Sequence, residues 1–491
     1  VLVQVGVDAE DADAAASALA TTTNLTFLAD LGEGLILFEA KNDPPRAAAA
    51  VLALTTAAEK RRAGQPPVTP LEEAVAAAQV DYAEEDYIVQ DQAMASECTI
   101  TGCTGTWGMT RIRAPQAWSL VAGAVAPSSK TALGSTVDTG LMYGHNELIG
   151  QADRTLGATY SGGVLVGDGS DDNGHGTHVS GVQVARWGGA LGSIAGLNGN
   201  ANLVSCKFLN VNGTGYTSDA VLCLRAVLAK NAHWVINNSW SGGSISNSLL
   251  TAIRNVCAAG GLFVAAAGNN GVDISANNGT YPSYYSVSVG AECVLPVAAV
   301  DSTSTVASFS NWGAAVPIAA PGVGIRSSIY SATSTTAEST LSGTSMAAPH
   351  VSGVALLLKN SFPTLTGLQI KGVLVDSAAI VVRPYNNTRS IDGGLLDAEA
   401  AYKSAQVLAN GGGLAPVVPP PPPPPSPSPP PPSPPPPPPP PPPSPSPSPS
   451  PSPSPSPPPP CTCPPPPYGY CPGTCSNTGS CTYKRKVGGR C

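Results

Sequence analysis

Apolar positions recur in two rhythms along the first 95 residues. Val1-Leu2-Val3-Gln4-Val5 and Leu35-Ile36-Leu37-Phe38 are short apolar runs and predict strands, whereas Asp11 to Ala20 and Ala47 to Ala58 read as helices rich in small residues. Val80 to Val89 closes the segment as an acidic strand carrying aromatic residues. Together these elements predict a small α+β domain over residues 1–95. Lys60-Arg61-Arg62 offers a processing site for another protease, but reads better as part of an exposed loop in the stretch Lys60 to Gln79. From residue 104 to about 410 the rhythm changes. Ala201 to Phe208, Trp234 to Asn237 and Leu262 to Ala267 read as buried strands, and Thr217 to Ala229 and Ser248 to Ala259 as helices. This alternation predicts an α/β domain with a parallel sheet.

The pattern then stops. Residues 419–460 are 32 Pro and 10 Ser, with no apolar periodicity and few N–H donors. They cannot form a packed core and predict, within a linker over 411–460, a polyproline rod of roughly 130 Å at about 3.1 Å per residue. Residues 461–491 hold six of the 12 cysteines and are too few for a core of their own, so disulfides must staple them. A zinc site at Cys461, Cys463, Cys471 and Cys475 is disfavoured, because their spacing does not make two C-x₂-C knuckles. The other six, Cys98, Cys103, Cys206, Cys223, Cys257 and Cys293, lie in or next to the central region, and their pairing is not readable from sequence. Such cysteine usage predicts an oxidising compartment.

Charge narrows the function. With 24 Lys+Arg against 32 Asp+Glu the net charge is −8, which excludes the basic face of a nucleic-acid binder; Lys484-Arg485-Lys486 is too short to change this. No uninterrupted apolar stretch is long enough to span a membrane. The sequence opens on Val1, and no charged region followed by an apolar one precedes the first strand, as expected after removal of a signal peptide or in a fragment. N-x-[ST] sequons begin at Asn24, Asn212, Asn237, Asn278 and Asn386; Asn237 lies in an expected buried strand, where glycosylation is disfavoured.

Three blocks carry candidate chemistry. In Ser342-Gly343-Thr344-Ser345-Met346-Ala347-Ala348-Pro349-His350, small residues lead into the apolar run Val351 to Leu358, so Ser345 is expected at the start of a buried helix, where negative charge is favoured. A serine hydroxyl needs a neighbouring base. In Asp172-Asn173-Gly174-His175-Gly176-Thr177-His178, His175 sits between glycines at a helix start, open to a partner. His178 reads as a packed histidine; a metal pair with His175 lacks the Glu and the spacing of H-E-x-x-H. The imidazole needs an anion. Asp138 ends the run Gly134-Ser135-Thr136-Val137, at the sheet edge where sites form in open α/β folds. Asp171 and Asp172 are alternatives, too close in sequence to His175 to orient it easily.

These blocks, in the order Asp, His, Ser, resemble those of the subtilisin-like serine proteases, with 37 residues from Asp138 to His175 and 170 from His175 to Ser345. The Asp block departs somewhat, since the family usually has a more apolar strand there than Ser135-Thr136 provides. The resemblance covers about residues 104–400 and implies a three-layer α/β domain around a parallel sheet. It implies an Asp138–His175–Ser345 triad acting through an acyl-enzyme, with Asn269 in Ala265-Ala266-Ala267-Gly268-Asn269 stabilising the oxyanion. It implies that Ser239, Trp240, Ser241, Gly242 and Gly268 line an extended polypeptide substrate, Trp240 replacing a commoner aliphatic residue. No cofactor is implied for the chemistry; structural calcium is common in the family, and Asp301 resembles a ligand position. The first 95 residues, above all Asp86-Tyr87-Ile88-Val89-Gln90, resemble the family's inhibitory propeptide, with self-cleavage between about Gln90 and Trp107. The Ser-Pro repeats resemble glycosylated wall proteins of plants and green algae. The resulting expectation is a secreted endopeptidase, made as a zymogen and acting at a cell wall or matrix glycan. Two readings compete with it: a wall-structural glycoprotein with an inactive protease fold, and a binding module acting through the tail.

Overall fold

The computed structural model describes residues 1–6, 9–40, 44–91, 94–95, 107–123, 133–187, 194–242, 244–276, 280–412, 474–475 and 481–482. Cys98, Cys103, Asn278, residues 413–473 with the Pro/Ser run, and Lys484 to Lys486 lie outside these. The chain divides into two compact units, residues 1–422 and 423–491. In the second, Thr474–Cys475 and Cys481–Thr482 pair as a short antiparallel ladder.

The first unit opens with β1 (Leu2–Val5), α1 (Ala9–Thr23), β2 (Thr26–Asp30), β3 (Leu35–Glu39), α2 (Pro44–Arg62), α3 (Pro70–Ala77) and β4 (Val80–Glu84). Its strands form an antiparallel sheet in the order β2-β3-β1-β4, and Leu19, Leu54, Val75 and Val80 bury between that sheet and the helices. The stretch read as a loop behaves otherwise. Lys60, Arg61 and Arg62 form the last turn of α2, where Lys60 pairs with Glu72 (2.6 Å) and Arg61 with Asp81 (3.1 Å). α3 then starts from a capping box, Thr69 accepting from the Glu72 N–H while Glu72 accepts from the Thr69 N–H. The acidic strand is also two strands. β4 ends at Glu84, and β5 (Ile88–Asp91) leaves for a different sheet, followed by β6 (Met94–Ala95).

After α4 (Trp107–Arg111) and α5 (Ala114–Gly123) come β7 (Leu133–Asp138), β8 (Ala158–Ser161), β9 (Val164–Gly167), α6 (His175–Val184), β10 (Asn202–Lys207), β11 (Thr214–Tyr216), α7 (Thr217–Ala229), β12 (Val235–Asn238), β13 (Trp240–Gly242), α8 (Asn247–Ala258), β14 (Leu262–Ala266), β15 (Val294–Val300), β16 (Ile318–Pro321), β17 (Ile325–Ser328), β18 (Glu338–Ser342), α9 (Thr344–Ser361), α10 (Gly367–Asp376), β19 (Gly394–Leu395) and α11 (Ala398–Ala409). Nine strands form one sheet in the order β19-β16-β15-β14-β12-β7-β10-β8-β9, parallel throughout except for β9.

Period-2 alternation loads both faces of this sheet. In β14, Leu262, Val264 and Ala266 join the core under α6, α9 and α10, while Phe263 and Ala265 join the core under α7 and α8. Three layers result, around the parallel sheet that the apolar runs predict. Two disulfides tie the second core: Cys206 of β10 to Cys223 of α7, and Cys257 of α8 to Cys293. Among the described residues no helix is long and apolar enough to cross a membrane. Because the Cys206–Cys223 bridge closes a sequence separation of 17, its removal by paired substitution with Ala should lower stability by about 3 kcal/mol, read as a lower urea midpoint; an unchanged midpoint would contradict it.

Candidate active site

Strand order decides where the site forms. β10 lies on one side of β7, and the next strand of this sheet, β12, on the other, so the connections diverge at the C-terminal end of β7 and leave a crevice there. Asp138 is the last residue of β7 and fully buried.

α6 starts at His175, next to that strand end. The approach is so close that a Cβ on Gly176 would stand 2.2 Å from the Gly140 carbonyl oxygen and 3.2 Å from Asp138 Oδ1, so only glycine fits. The His175 Nδ1 hydrogen-bonds Asp138 Oδ1 at 2.7 Å, and the same oxygen accepts from the Thr139 N–H. His175 was expected to be open; it is 3% exposed, and its Nε2 is buried with no hydrogen-bond partner among the described residues. Burial alone would disfavour the imidazolium. The charge and hydrogen bond of Asp138 more than offset this, Asp91 and Asp171 add to it, and the net shift is upward to about 9. Burial takes His178 and His350 the other way, to about 3 and about 4. His178 Nε2 faces the Ile325 and Ser339 carbonyls, which suits a packed, neutral ring.

Ser345 is the second residue of α9, in the turn whose N–H groups have no intrahelical partner. Its surroundings follow from a proline. Pro349 has no N–H to give the carbonyl four residues earlier, which is that of Ser345. The Ser239 hydroxyl supplies the missing donor at 2.9 Å, and Ser345 Oγ in turn donates to the Ser239 carbonyl at 2.7 Å. The structure therefore joins Asp138 to His175, while the Ser345 hydroxyl hydrogen-bonds Ser239 rather than His175.

Asn269 follows β14 on the other side of the helix start. Its Oδ1 accepts from both the N–H and the hydroxyl of Thr344, each at 2.9 Å. That fixes the amide orientation and turns the NH₂ end away from Thr344. Gly268 has φ +101, and a Cβ there would meet Asn311 Nδ2 at 2.4 Å; its N–H donates to the Thr344 hydroxyl.

β13 brings Trp240, Ser241 and Gly242 alongside β5. That strand runs antiparallel between β11 and β13, with Val89 opposite Gly215 and Gly242, Gln90 opposite Thr214 and Ser241, and Asp91 opposite Trp240. Beyond it, Met94 and Ala95 pair with Ser342 and Leu341, just before α9. The Trp240 indole is fully buried against Phe208 and donates to the Val137 carbonyl, so it braces the strand bearing Asp138. Asp301 uses Oδ1 to accept from Thr303 and Thr305 of its own turn. Among the described residues no group of three His, Cys, Asp or Glu side chains converges as a metal site would require.

The sequence profile of the subtilase family matches residues 132–406. This chain belongs to the subtilase family. It is similar to subtilisin DY of Bacillus licheniformis, 38% identical over 49% of this chain and 81% of that protein. It is 33% identical to M-protease of Shouchella clausii, over 66% of this chain and 74% of that protein. It is 36% identical to an extracellular serine proteinase of a Thermus species, over 49% of this chain and 53% of that protein. Among solved structures, a cold-adapted subtilisin-like serine proteinase matches with a TM-score of 0.47 at 32% identity, over 55% of this chain and 89% of that one. As a subtilase, the chain is a serine endopeptidase.

Sequence reasoning missed the supports of this site. Asp171, too near His175 in sequence to be expected to orient it, takes hydrogen bonds from both sides of it. Lys207, an isolated cation in an apolar strand, donates to the Thr139 and Leu209 carbonyls and to Asp172. A charged residue inside a buried strand was the available signal. Replacing Asp138 by Asn should lower the His175 pKa by more than about one unit, since the imidazolium loses its main partner while staying buried. NMR titration of the imidazole checks this, and an unmoved titration would mean that Asp138 does not set it.

Proposed function

We propose that Asp138, His175 and Ser345 form the triad of a secreted endopeptidase made as a zymogen. In its neutral form, whose share grows as pH rises toward about 9, His175 takes the Ser345 proton on Nε2 once the hydroxyl turns from the Ser239 carbonyl, and Ser345 attacks the peptide carbonyl. The Asn269 NH₂ and the Ser345 N–H receive the oxyanion. His175 then protonates the leaving amine, and water releases the acyl group. The observation that carries this reading is the 2.7 Å Asp138–His175 hydrogen bond, with the opposite ring nitrogen buried and without a partner among the described residues.

Residues 1–95 are read as the inhibitory propeptide and 104–410 as the catalytic domain. The pairing of β5 with β11 and β13 supports this, because an extended peptide satisfies its backbone in that way. The pairings on either side of residues 92 and 93 favour self-cleavage between Asp91 and Met94. Two propeptide carboxyl groups make docking contacts at helix N-termini. Glu84 accepts from the Ser246 hydroxyl and the Asn247 and Ser248 N–H groups at the start of α8, and Asp86 accepts from Ser218 at the start of α7. The named similarity to an extracellular proteinase and the two disulfides support secretion. Residues 411–460 are read as a Pro/Ser linker and 461–491 as a cysteine-rich module, which together would hold the enzyme at a wall or matrix glycan.

A fluorophosphonate probe should label the processed enzyme, and Ser345→Ala should abolish labelling, leave the precursor uncut and lower kcat by about 10⁶-fold. Asn269→Ala should retain labelling and lose about 10²–10³-fold in kcat. Full hydrolysis by Ser345→Ala would refute the triad.

Docking should also depend on pH. Burial at the interface raises the Asp86 carboxyl to about 6 from 3.8, the Ser218 hydrogen bonds offsetting only part of it and Asp219 adding to it. A carboxyl whose pKa is raised in the docked state takes up a proton on docking, so its contribution is full below about 4 and is lost as pH rises through about 6. Processed enzyme blocked with the fluorophosphonate should retain its N-terminal fragment better at low pH on gel filtration, and Asp86→Asn should flatten the difference. Tighter retention at high pH would contradict this.

A further inference from the structure

A second buried carboxylate organises the pair at the base of the cleft. Asp171 is 6% exposed and lies in the loop before α6. Its Oδ1 accepts from the Thr139 hydroxyl (2.9 Å) and the Asn173 and Gly174 N–H groups (3.0 and 3.1 Å). Its Oδ2 accepts from the Thr177 N–H (3.1 Å) and hydroxyl (2.5 Å). These donors come from the residue after Asp138, from the turn before His175 and from the first turn of α6. The Thr139 hydroxyl also accepts from the Gly176 N–H at 2.8 Å, which closes a path from one side of the Asp138–His175 pair to the other. Asp138 and His175 sit on separate elements, β7 and α6, and Asp171 is bonded to the residue that follows the first and to the first turn of the second.

From this geometry we infer that Asp171 is the positioning residue of the proteolytic site, holding the end of β7 and the start of α6 in register and presenting a second negative charge to the His175 ring. The inference rests on reading His175 as the base. The titratable and charged groups facing His175 are Asp138 from β7, Asp171 from the loop, His178 from α6 and Asp91 from the N-terminal segment. The Lys207 ammonium sits on the Thr139 carbonyl and pairs with Asp172. Asp171 is separated from the reacting atoms by Thr139 and His175, so it acts through them.

The test compares Asp171→Asn and Thr139→Val with the parent, using the processed full chain and a chromogenic peptide. Thr139→Val removes only the hydroxyl link and keeps the shape, so it serves if Asp171→Asn does not fold. Both variants should lower kcat by about 10- to 100-fold with KM nearly unchanged, because small misplacements of reacting groups cost that much. Asp171→Asn should in addition shift the acid limb of the kcat/KM profile to lower pH, since removing an anion disfavours the imidazolium. Thr139→Val, which keeps the charge, should leave the limb in place. Asp171→Glu should restore the limb to its parental position while kcat stays reduced.

A kcat within twofold of the parent in both variants overturns the proposal. So does a loss of kcat in Asp171→Asn with the limb unmoved, which is the mark of a merely structural carboxylate. Ser345→Ala separates this failure from that of the underlying reading: if it keeps full hydrolysis, the assignment of the site fails, whatever Asp171 does.

Discussion

The buried hydrogen bond between Asp138 and His175 is the contact on which the rest of the architecture depends. A carboxylate away from water is costly unless donors surround it, and an imidazole in the same place stays uncharged unless an anion faces it. Each group here answers the need of the other, which requires the end of one strand and the start of one helix to meet within 2.7 Å. Gly176 allows the approach by lacking a side chain. Thr139, Asp171 and Lys207 hold the backbone on either side, and the Trp240 indole braces the Val137 carbonyl from the opposite sheet face.

The serine side is built on a different constraint. A proline six residues into a buried helix leaves a carbonyl without its usual partner, an arrangement costing about 3 kcal/mol or more in an ordinary helix interior. Here the uncovered carbonyl belongs to Ser345, and the Ser239 hydroxyl covers it. A helix defect thus anchors the strand along which β5 lies, and it places Ser345 and the adjoining cleft wall in one hydrogen-bonded unit.

Much of this was legible in the sequence because it is local. Continuous apolar runs such as Leu262 to Ala267 marked the central strands, Thr217 to Ala229 marked a helix to the residue, and small residues around His175 and Ser345 marked helix starts. What escaped is of two kinds. Some is local but easily passed over: Thr69-Pro70-Leu71-Glu72 carries the T-x-x-E signature with Pro at the first helical position, inside a stretch whose Gly and Pro otherwise suggest a loop. The rest is non-local. Nothing in the spacing of Asp171 reveals that its carboxylate gathers donors from two elements, and an acidic strand from Val80 to Val89 gives no sign that its halves serve different sheets. The depth at which His175 lies was equally hidden, since it depends on what packs over it.

The pairing of Ile88–Asp91 with β11 and β13, and of Met94–Ala95 with β18, bears on concentration as well as on shape if this segment is the inhibitor proposed above. While the polypeptide is continuous, the occupying segment is presented at the local molarity of a tethered ligand, in the millimolar range for short connections, and bulk dilution cannot lower it. Once the proposed cut is made, the same contacts become bimolecular and are governed by mass action. On the proposed propeptide reading, the enzyme would stay silent where it is crowded during synthesis and become active as it disperses, with release into a larger volume serving as a trigger.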